Sequence, residues 1–283
     1  MSYENPKQPE DINVGVEHPL KDFFAMLSAV LLIVVIAVLM LSTAAQWLAR
    51  YIPFSTELQV AQAIEPHLTE VSEGPIDETA RQRQVYLSQL AQRLSSVMNL
   101  PEGMVVSVHY SADSTVNAFA TLGGHVLMYG GLVDKLPSEN ALAMVLAHEI
   151  AHVKLRHPIV AMSRGLTVSI ALGSVFGMTD NAAVAQLVQW LGITSSLSFS
   201  RAQELAADEE AAQAVLALYG HLEGATALFD VLATMTAREG VLQVPEFVST
   251  HPDLTARIER LAEIAAELGV SGSLTPLPWR PLP

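Results

Sequence analysis

The stretch "NALAMVLAHEIAHVKLRHP", residues 140–158, constrains this chain more than any other. It has the pattern of an apolar helix, with Leu142, Val145, Leu146 and Ile150 at helical spacing, yet it carries His148, Glu149 and His152 in its middle. Positions i and i+4 share one face of a helix, so the two imidazoles can grip one cation while Glu149 lies one residue along. Burying a carboxylate and two imidazoles without compensation is costly. A metal ion compensates them. H-E-x-x-H is the pattern in which two histidines bind zinc and the glutamate serves as base on a zinc-activated water. Such a helix must be held rigidly, and a catalytic zinc needs a third protein ligand from elsewhere.

The third ligand is found downstream in "FSRAQELAADEEAAQAV" (199–215), where Glu204 and Asp208 again stand at i and i+4. Alone, this acidic run with Glu209 and Glu210 reads as a solvated helix face. The demand for a third ligand makes Glu204 the metal-binding choice. Asp208 then points to the same region, where a carboxylate can accept the N–H of a ligating histidine and fix its tautomer. The chain contains no cysteine, which excludes both a disulfide framework and a thiolate zinc site.

The net charge is −14, from 15 Lys and Arg against 29 Asp and Glu, spread along the chain. That argues against a nucleic-acid partner, which requires a basic face. Apolar residues make up 51% of the chain, and much of the excess is local. "FFAMLSAVLLIVVIAVLML" (23–41) has no charge and Ser28 as its one polar residue. At about 1.5 Å per residue it spans a hydrocarbon core of roughly 30 Å. Phe23 and Phe24 at its start, with Trp47 and Tyr51 after it, suit the two interfaces. The run is too long for the core of a cleaved signal peptide and follows an acidic segment, so it reads as an uncleaved single-pass anchor. Lys7 and Lys21 on one side against Arg50 on the other lean the main domain to the extracytoplasmic side, periplasmic in a bacterium.

The organisation expected is a polar tail at 1–22, an anchor at 23–49, a connector at 50–76 punctuated by Pro53, Pro66 and Gly74-Pro75, a main domain at 77–271, and a loose proline-rich tail at 272–283. Within the main domain, Leu87, Leu90, Leu94 and Val97 predict an amphipathic helix over 77–98. Segments 104–110, 115–121 and 125–129 read as strands, the last two joined by a hairpin turn at Gly123-Gly124. Ser138 is the expected N-cap of a helix over 138–156. The uncharged segments 165–179 and 181–200 read as an apolar helical hairpin, either buried core or a lid facing the membrane. Helices are expected over 201–219, 223–239 and 253–268.

Taken together, "NAFATLGGHVLMYGGLVDKL", "ALAMVLAHEIAHVKLRHP", "SRAQELAADEEA" and "STHPDLTARIERL" resemble the successive motifs of the membrane-linked zinc metallopeptidases of the HtpX, Oma and CAAX prenyl protease type. The resemblance spans about residues 77–268. It implies an α+β, predominantly helical, zincin-like metallopeptidase of the gluzincin kind, with a small three-stranded sheet beside the N-terminal transmembrane helix. It implies one zinc per chain on His148, His152 and Glu204, with Glu149 as catalytic base and Asp208 in support. It also implies that Asn117, Ala118, Phe119 and Ala120 line the substrate cleft, where an edge strand binds an extended peptide. His251 in "STHPD" is implied to approach the metal, either occupying the water position in a resting state or stabilising the oxyanion, with Arg257 nearby. The plainer reading of that pair is a turn leading into a helix, with Pro252 at its first position, and a structural ion pair. His125 and His157 read as structural or surface residues.

With one spanning segment rather than several, this chain does not support cleavage of prenylated substrates in a membrane chamber, and no appended repeat domain is expected. The expected function is a membrane-anchored zinc endopeptidase acting on protein substrates, in quality control. The alternative is a zinc-bearing but catalytically silent scaffold for unfolded or membrane proteins.

Overall fold

The computed structural model describes residues 18–62, 65–66, 68, 77–176, 199–239, 247, 251 and 254–280. The chain divides into two compact units, Met1–Leu41 and Ser42–Pro283. The described part of the first is most of helix α1 (Pro19–Ala49), whose apolar side chains are exposed all round, Leu32 and Ile33 at 59% and 65%. A helix apolar on every face and covered by no described residue of its own unit is suited to lipid. It is the one described helix long and apolar enough to cross a membrane.

The second unit has a single principal core. Helix α2 (Phe54–Ala61) follows α1. Helix α3 (Glu78–Val97) starts where Asp77 caps it, its side chain accepting from the Ala80 N–H at 2.7 Å, and it buries Leu87, Leu90, Ala91 and Leu94 as one stripe. The sheet has strands β1 (Ser107–Ser111), β2 (Ala118–Ala120) and β3 (His125–Tyr129) in the order β1-β3-β2. β3 runs parallel to β1 and antiparallel to β2, with Phe119 opposite Leu127. The turn between β2 and β3 is a short 3-10 segment with Gly123 at φ 71 and Gly124 at φ 80. A Cβ on Gly123 would come within 2.4 Å of Ala61 of α2, and one on Gly124 within 2.0 Å of the Val105 carbonyl oxygen. Glycine is needed there by conformation and by space.

A short helix α4 (Gly130–Val133) leads to α5 (Glu139–Lys154), the helix carrying H-E-x-x-H. Every residue of α5 from Glu139 to Val153 is buried. Ser138 caps it by accepting from Ala141 N–H, as its sequence predicts. α5 ends at Leu155, the chain turns at Arg156 with φ 64, and α6 (His157–Phe176) begins. Arg156 is fixed by the Ile52 carbonyl at 2.7 Å and by Glu57 of α2 at 2.6 Å. Glu57 also accepts from Gly123 N–H at 2.9 Å. The first half of the expected connector is therefore packed onto the main domain: its helix brings a buried carboxylate that meets an arginine and a strand turn.

Helix α7 (Arg201–Tyr219) opens with a full capping box between Ser200 and Gln203 and closes at Gly220, φ 79. It packs along α5 more extensively than on any other described element. Helices α8 (Ala227–Glu239) and α9 (Leu254–Leu268) complete the unit. The first arm of the expected apolar hairpin is the end of α6. Residues 177–198, which hold nearly all of the second arm, and Pro252 lie outside the described residues.

The loose C-terminal tail is corrected by the structure. Thr275 O accepts from Glu139 N–H at 2.9 Å and Thr275 N–H donates to Asn140 Oδ1 at 2.8 Å, so the tail completes the first turn of α5. Leu277 is buried, Trp279 packs edge-on against Tyr86, and Arg280 donates to the Asp134 and Leu136 carbonyls. The prolines make the segment extended, which is the conformation that lets it lie along a helix end.

Candidate metal centre

Two helices and one turn converge on a buried cluster. α5 supplies His148 and His152, α7 supplies Glu204, and His251 comes from the turn before α9. One donor atom from each lies within 4.8 Å of the others, and all four residues are buried. The Nε2 atoms of His148 and His152 are 3.0 Å apart, and each is 3.5 Å from a different oxygen of Glu204. Nδ1 of His251 lies 3.1 and 3.2 Å from the two Glu204 oxygens and 3.4 Å from His148 Nε2.

The other nitrogens of the two α5 histidines are occupied from behind. His148 Nδ1 is 2.8 Å from Asp208 Oδ1. Arg257 clamps that carboxylate, Nε to Oδ2 at 2.6 Å and Nη2 to Oδ1 at 2.8 Å, and its Nη1 stands 2.9 Å from Glu204. His152 Nδ1 faces His157 Nδ1 at 2.8 Å, with the Phe199 ring stacked on His152 at 4.0 Å. Burial holds the His157 imidazole down to about 4, so it is neutral and can accept from His152 Nδ1–H. Burial opposes protonation of His148, but the Asp208 charge beside it prevails, and without a metal its pKa rises to about 9. Burial alone would raise Glu204; the His251 and His148 imidazoles hold it well below the usual carboxylate range. Burial likewise works against ionised Asp208, and Arg257 and His148 keep it charged.

This donor set fits a metal ion. With both Nδ1 atoms engaged as donors, the Nε2 lone pairs of His148 and His152 face each other at 3.0 Å across the Glu204 carboxylate. Lone pairs at that separation repel unless a proton or a metal cation lies between them; His148 carries that proton when metal-free, and neutral imidazole with carboxylate is the zinc-type ligand set a metal ion would meet in its place. Glu149 adds a second sign. It is fully buried, and neither carboxylate oxygen has a hydrogen-bond partner; His251 Nε2, itself without one, is 3.6 Å from its Oε1. Buried carboxylates are not left so without a ligand to meet.

Asn117, Ala118, Phe119 and Ala120 lie at and beside β2, the sheet edge that packs against α5. Asn117 is buried; its Oδ1 accepts from Ala118 N–H, while its Nδ2 has no hydrogen-bond partner. The structure thus brings Asp208, His251 and Arg257 to the metal cluster and sets the β2 segment beside the helix that carries it. It also assigns to His157 a contact that sequence reading missed, since the turn at Arg156 breaks the helical spacing from His152. The surviving signal is a third histidine five residues beyond the motif.

Comparison with known proteins bears on this geometry. The model of peptidase family M48 matches residues 81–265, a span that contains every residue of the cluster. The chain is 29% identical over 195 residues to the mitochondrial metalloendopeptidase OMA1 of Schizosaccharomyces pombe, covering 66% of this chain and 54% of that protein. It is 33% identical over 185 residues to the beta-barrel assembly-enhancing protease of Escherichia coli, covering 59% and 36%. The metalloprotease YcaL of the same organism is 24% identical over 190 residues, covering 66% and 73%. The chain thus spans about half the length of the yeast relative and about a third of the beta-barrel assembly-enhancing protease. The family match takes in α3, the sheet, α5 and the helices that complete the cluster, and on that evidence the chain is a member of peptidase family M48.

Proposed function

We propose that this protein is a membrane-anchored, zinc-dependent endopeptidase that binds one zinc per chain and acts in protein quality control, its catalytic domain on the extracytoplasmic side. The observation that carries the reading is Glu149, a fully buried carboxylate with no hydrogen-bond partner beside a cluster of four metal-ligating groups. His148 and His152 would hold the zinc through Nε2, and Glu204 through its carboxylate. Zinc at that position supplies Lewis acidity, polarising the scissile carbonyl and bringing the pKa of water down toward about 7.

The chain's own groups do the rest. Glu149 takes the proton of the attacking water on a carboxylate oxygen and passes it to the leaving amine. Asp208 accepts from His148 Nδ1–H and keeps the Nε2 lone pair turned toward the ligand cluster, and Arg257 holds Asp208 ionised. His251 sits among the donor atoms, 3.1 Å from Glu204, which favours a resting role in which it occupies the place of the attacking water and withdraws when substrate enters. An extended peptide substrate would add along β2, its backbone beside Asn117, Ala118, Phe119 and Ala120. The buried, unpartnered amide of Asn117 is a donor for that peptide.

Glu149→Gln is the decisive variant. It should keep zinc at one per chain and abolish cleavage of casein, while a chelator abolishes cleavage by the unaltered protein. Chelator-sensitive cleavage that survives in Glu149→Gln, in a preparation free of other proteases, would reject the mechanism.

A further inference from the structure

A cavity of about 630 Å³ opens at the N-terminal end of α5, away from the metal ligands. Its size is that of ligand pockets, which run from about 300 to 1,000 Å³. Four parts of the chain wall it. Ser114 and Gly131 stand where the β1–β2 loop crosses the start of α4, the Gly131 N–H donating to the Asp113 carbonyl at 3.0 Å. Lys135 and Pro137 belong to the turn before Ser138, the cap of α5. Asp230 and Thr234 lie one turn apart on a single face of α8, and Arg280 comes from the docked tail.

The cavity lies in line with the candidate substrate strand. β2 and α5 run in the same sense. Gly123, just past β2, is joined through Glu57 to Arg156 at the C-terminal end of α5. Asn117, just before β2, follows Ser114 of the cavity wall by three residues, at the N-terminal end of α5. A peptide added to the β2 edge therefore runs from the metal cluster past Asn117 and into the cavity. Antiparallel pairing is the better hydrogen-bonded arrangement, and β2 already makes it with β3. A substrate paired that way has its C-terminal side toward Asn117. Ser138 stands ten residues before His148, roughly 15 Å along the helix, which an extended chain covers in about four or five residues.

We propose that this cavity is a second substrate-binding site, which takes the fourth and following residues on the C-terminal side of the scissile bond and prefers an acidic side chain there. The inference rests on the peptidase reading above, with substrate added along β2. The preference follows from the charges in the wall. Asp134, which also lines the cavity, is offset by Arg83 at 2.7 Å. Asp230 lies in the first turn of α8, where the helix dipole favours negative charge. Arg280 donates to the Asp134 and Leu136 carbonyls, which carry no net charge, and Lys135 is exposed. The cavity thus presents positive charge to an entering chain, in a protein whose total charge is −14. Substrates suited to both sites are unfolded segments long enough to reach from one to the other, rather than short peptides.

The test uses the full chain in detergent and two fluorogenic peptides built on one cleavage site mapped in casein. One ends two residues past the cleaved bond; the other ends six residues past it, with Glu at the fourth. For the unaltered protein, kcat/KM should be about 10-fold higher for the longer peptide, the effect of one modest subsite. Thr234→Trp puts a bulky ring on an exposed position of the cavity wall and should bring that ratio toward one. Because the readout is a ratio of two substrates on one protein, a loss of folded protein cancels. Lys135→Glu should slow the longer peptide by about 5-fold when its fourth residue is Glu and speed it when that residue is Lys. A ratio near one in the unaltered protein, or the same ratio in Thr234→Trp, overturns the proposal. A preference for Glu over Lys that survives Lys135→Glu rejects the acidic specificity. If neither peptide nor casein is cleaved, the peptidase reading has failed, and fluorescence anisotropy of the labelled longer peptide decides the cavity by itself. Binding weakened by Thr234→Trp then supports a peptide site, and equal binding overturns it.

Discussion

At the scale of single residues, the two histidines of the motif are supported in different ways. His148 leans on an ionised carboxylate that is itself clamped by Arg257, a charge-assisted arrangement that makes the imidazole more basic. His152 leans on a neutral histidine, which can fix its tautomer without adding charge. The cluster already holds the buried acids Glu149, Glu204 and Asp208 with one arginine, so a neutral support for the second ligand avoids a further buried charge. His157→Phe removes the acceptor while keeping an aromatic ring of similar bulk. It should weaken zinc binding by about 10- to 100-fold, the usual cost of losing a group that orients a ligand. His157→Gln, which keeps an acceptor, should recover part of the loss. Competition against a chelator of known zinc affinity measures both, and equal affinities for His157→Phe and the unaltered protein would show His157 to be packing alone.

At the scale of elements, α5 is a rigid platform because both its ends are tied to distant parts of the chain. At its C-terminal end Arg156 meets Glu57 and the Ile52 carbonyl. At its N-terminal end the Glu139 carboxylate accepts from Tyr86, from Tyr219 at 2.7 Å and from Arg93 at 2.9 Å, joining α3 and α7 to the first turn of α5. Burial works against ionised Glu139, but those three donors hold its pKa below the usual 4.5. A carboxylate depressed in the folded state stabilises the fold above its unfolded pKa and loses that contribution as pH falls through the folded value. Glu139→Gln should therefore cost about 1.5–3 kcal/mol at neutral pH, the range for hydrogen bonds to a charged group, and progressively less as pH drops below 4.5. Thermal unfolding of both proteins across that range checks it; a deficit constant with pH would deny the depressed carboxylate. What was legible at this scale follows one rule. Helical spacing is local, so α3, α5, α7 and α9 and the faces carrying His148, His152, Glu204 and Asp208 could be read directly. The Glu139 hub, the Arg156 tie and the docked tail join residues far apart in sequence, and no local period connects Thr275 to Glu139. Proline content alone cannot distinguish a free extended tail from one laid against a helix end.

At the scale of the whole molecule, the division at Leu41 separates two kinds of solvent requirement. The unit up to Leu41 offers apolar side chains on all sides of its helix and, among the described residues, no core of its own. The unit from Ser42 onward contains both hydrophobic clusters of the described residues, the larger one built on α3, the sheet, α5 and α7 and the smaller one joining Ala49, Ala61, Ile159 and Phe199. Ala49 belongs to that smaller cluster, so the last turns of α1 are structurally part of the domain even though their helix begins in the apolar run. Deleting residues 1–41 removes the lipid-compatible surface but none of the described core. The shortened chain should be recovered in the soluble fraction, bind zinc with unchanged stoichiometry, and unfold within about 3 °C of the full chain in detergent, equivalent to roughly 1 kcal/mol for a domain of this size. Deleting residues 1–50 instead cuts into the Ala49 contact and should lower the midpoint further. Differential scanning calorimetry of the two truncations decides the matter: equal midpoints would mean that the end of α1 contributes nothing to the fold, and a large loss on removing residues 1–41 alone would mean that the anchor helix supports the domain beyond tethering it.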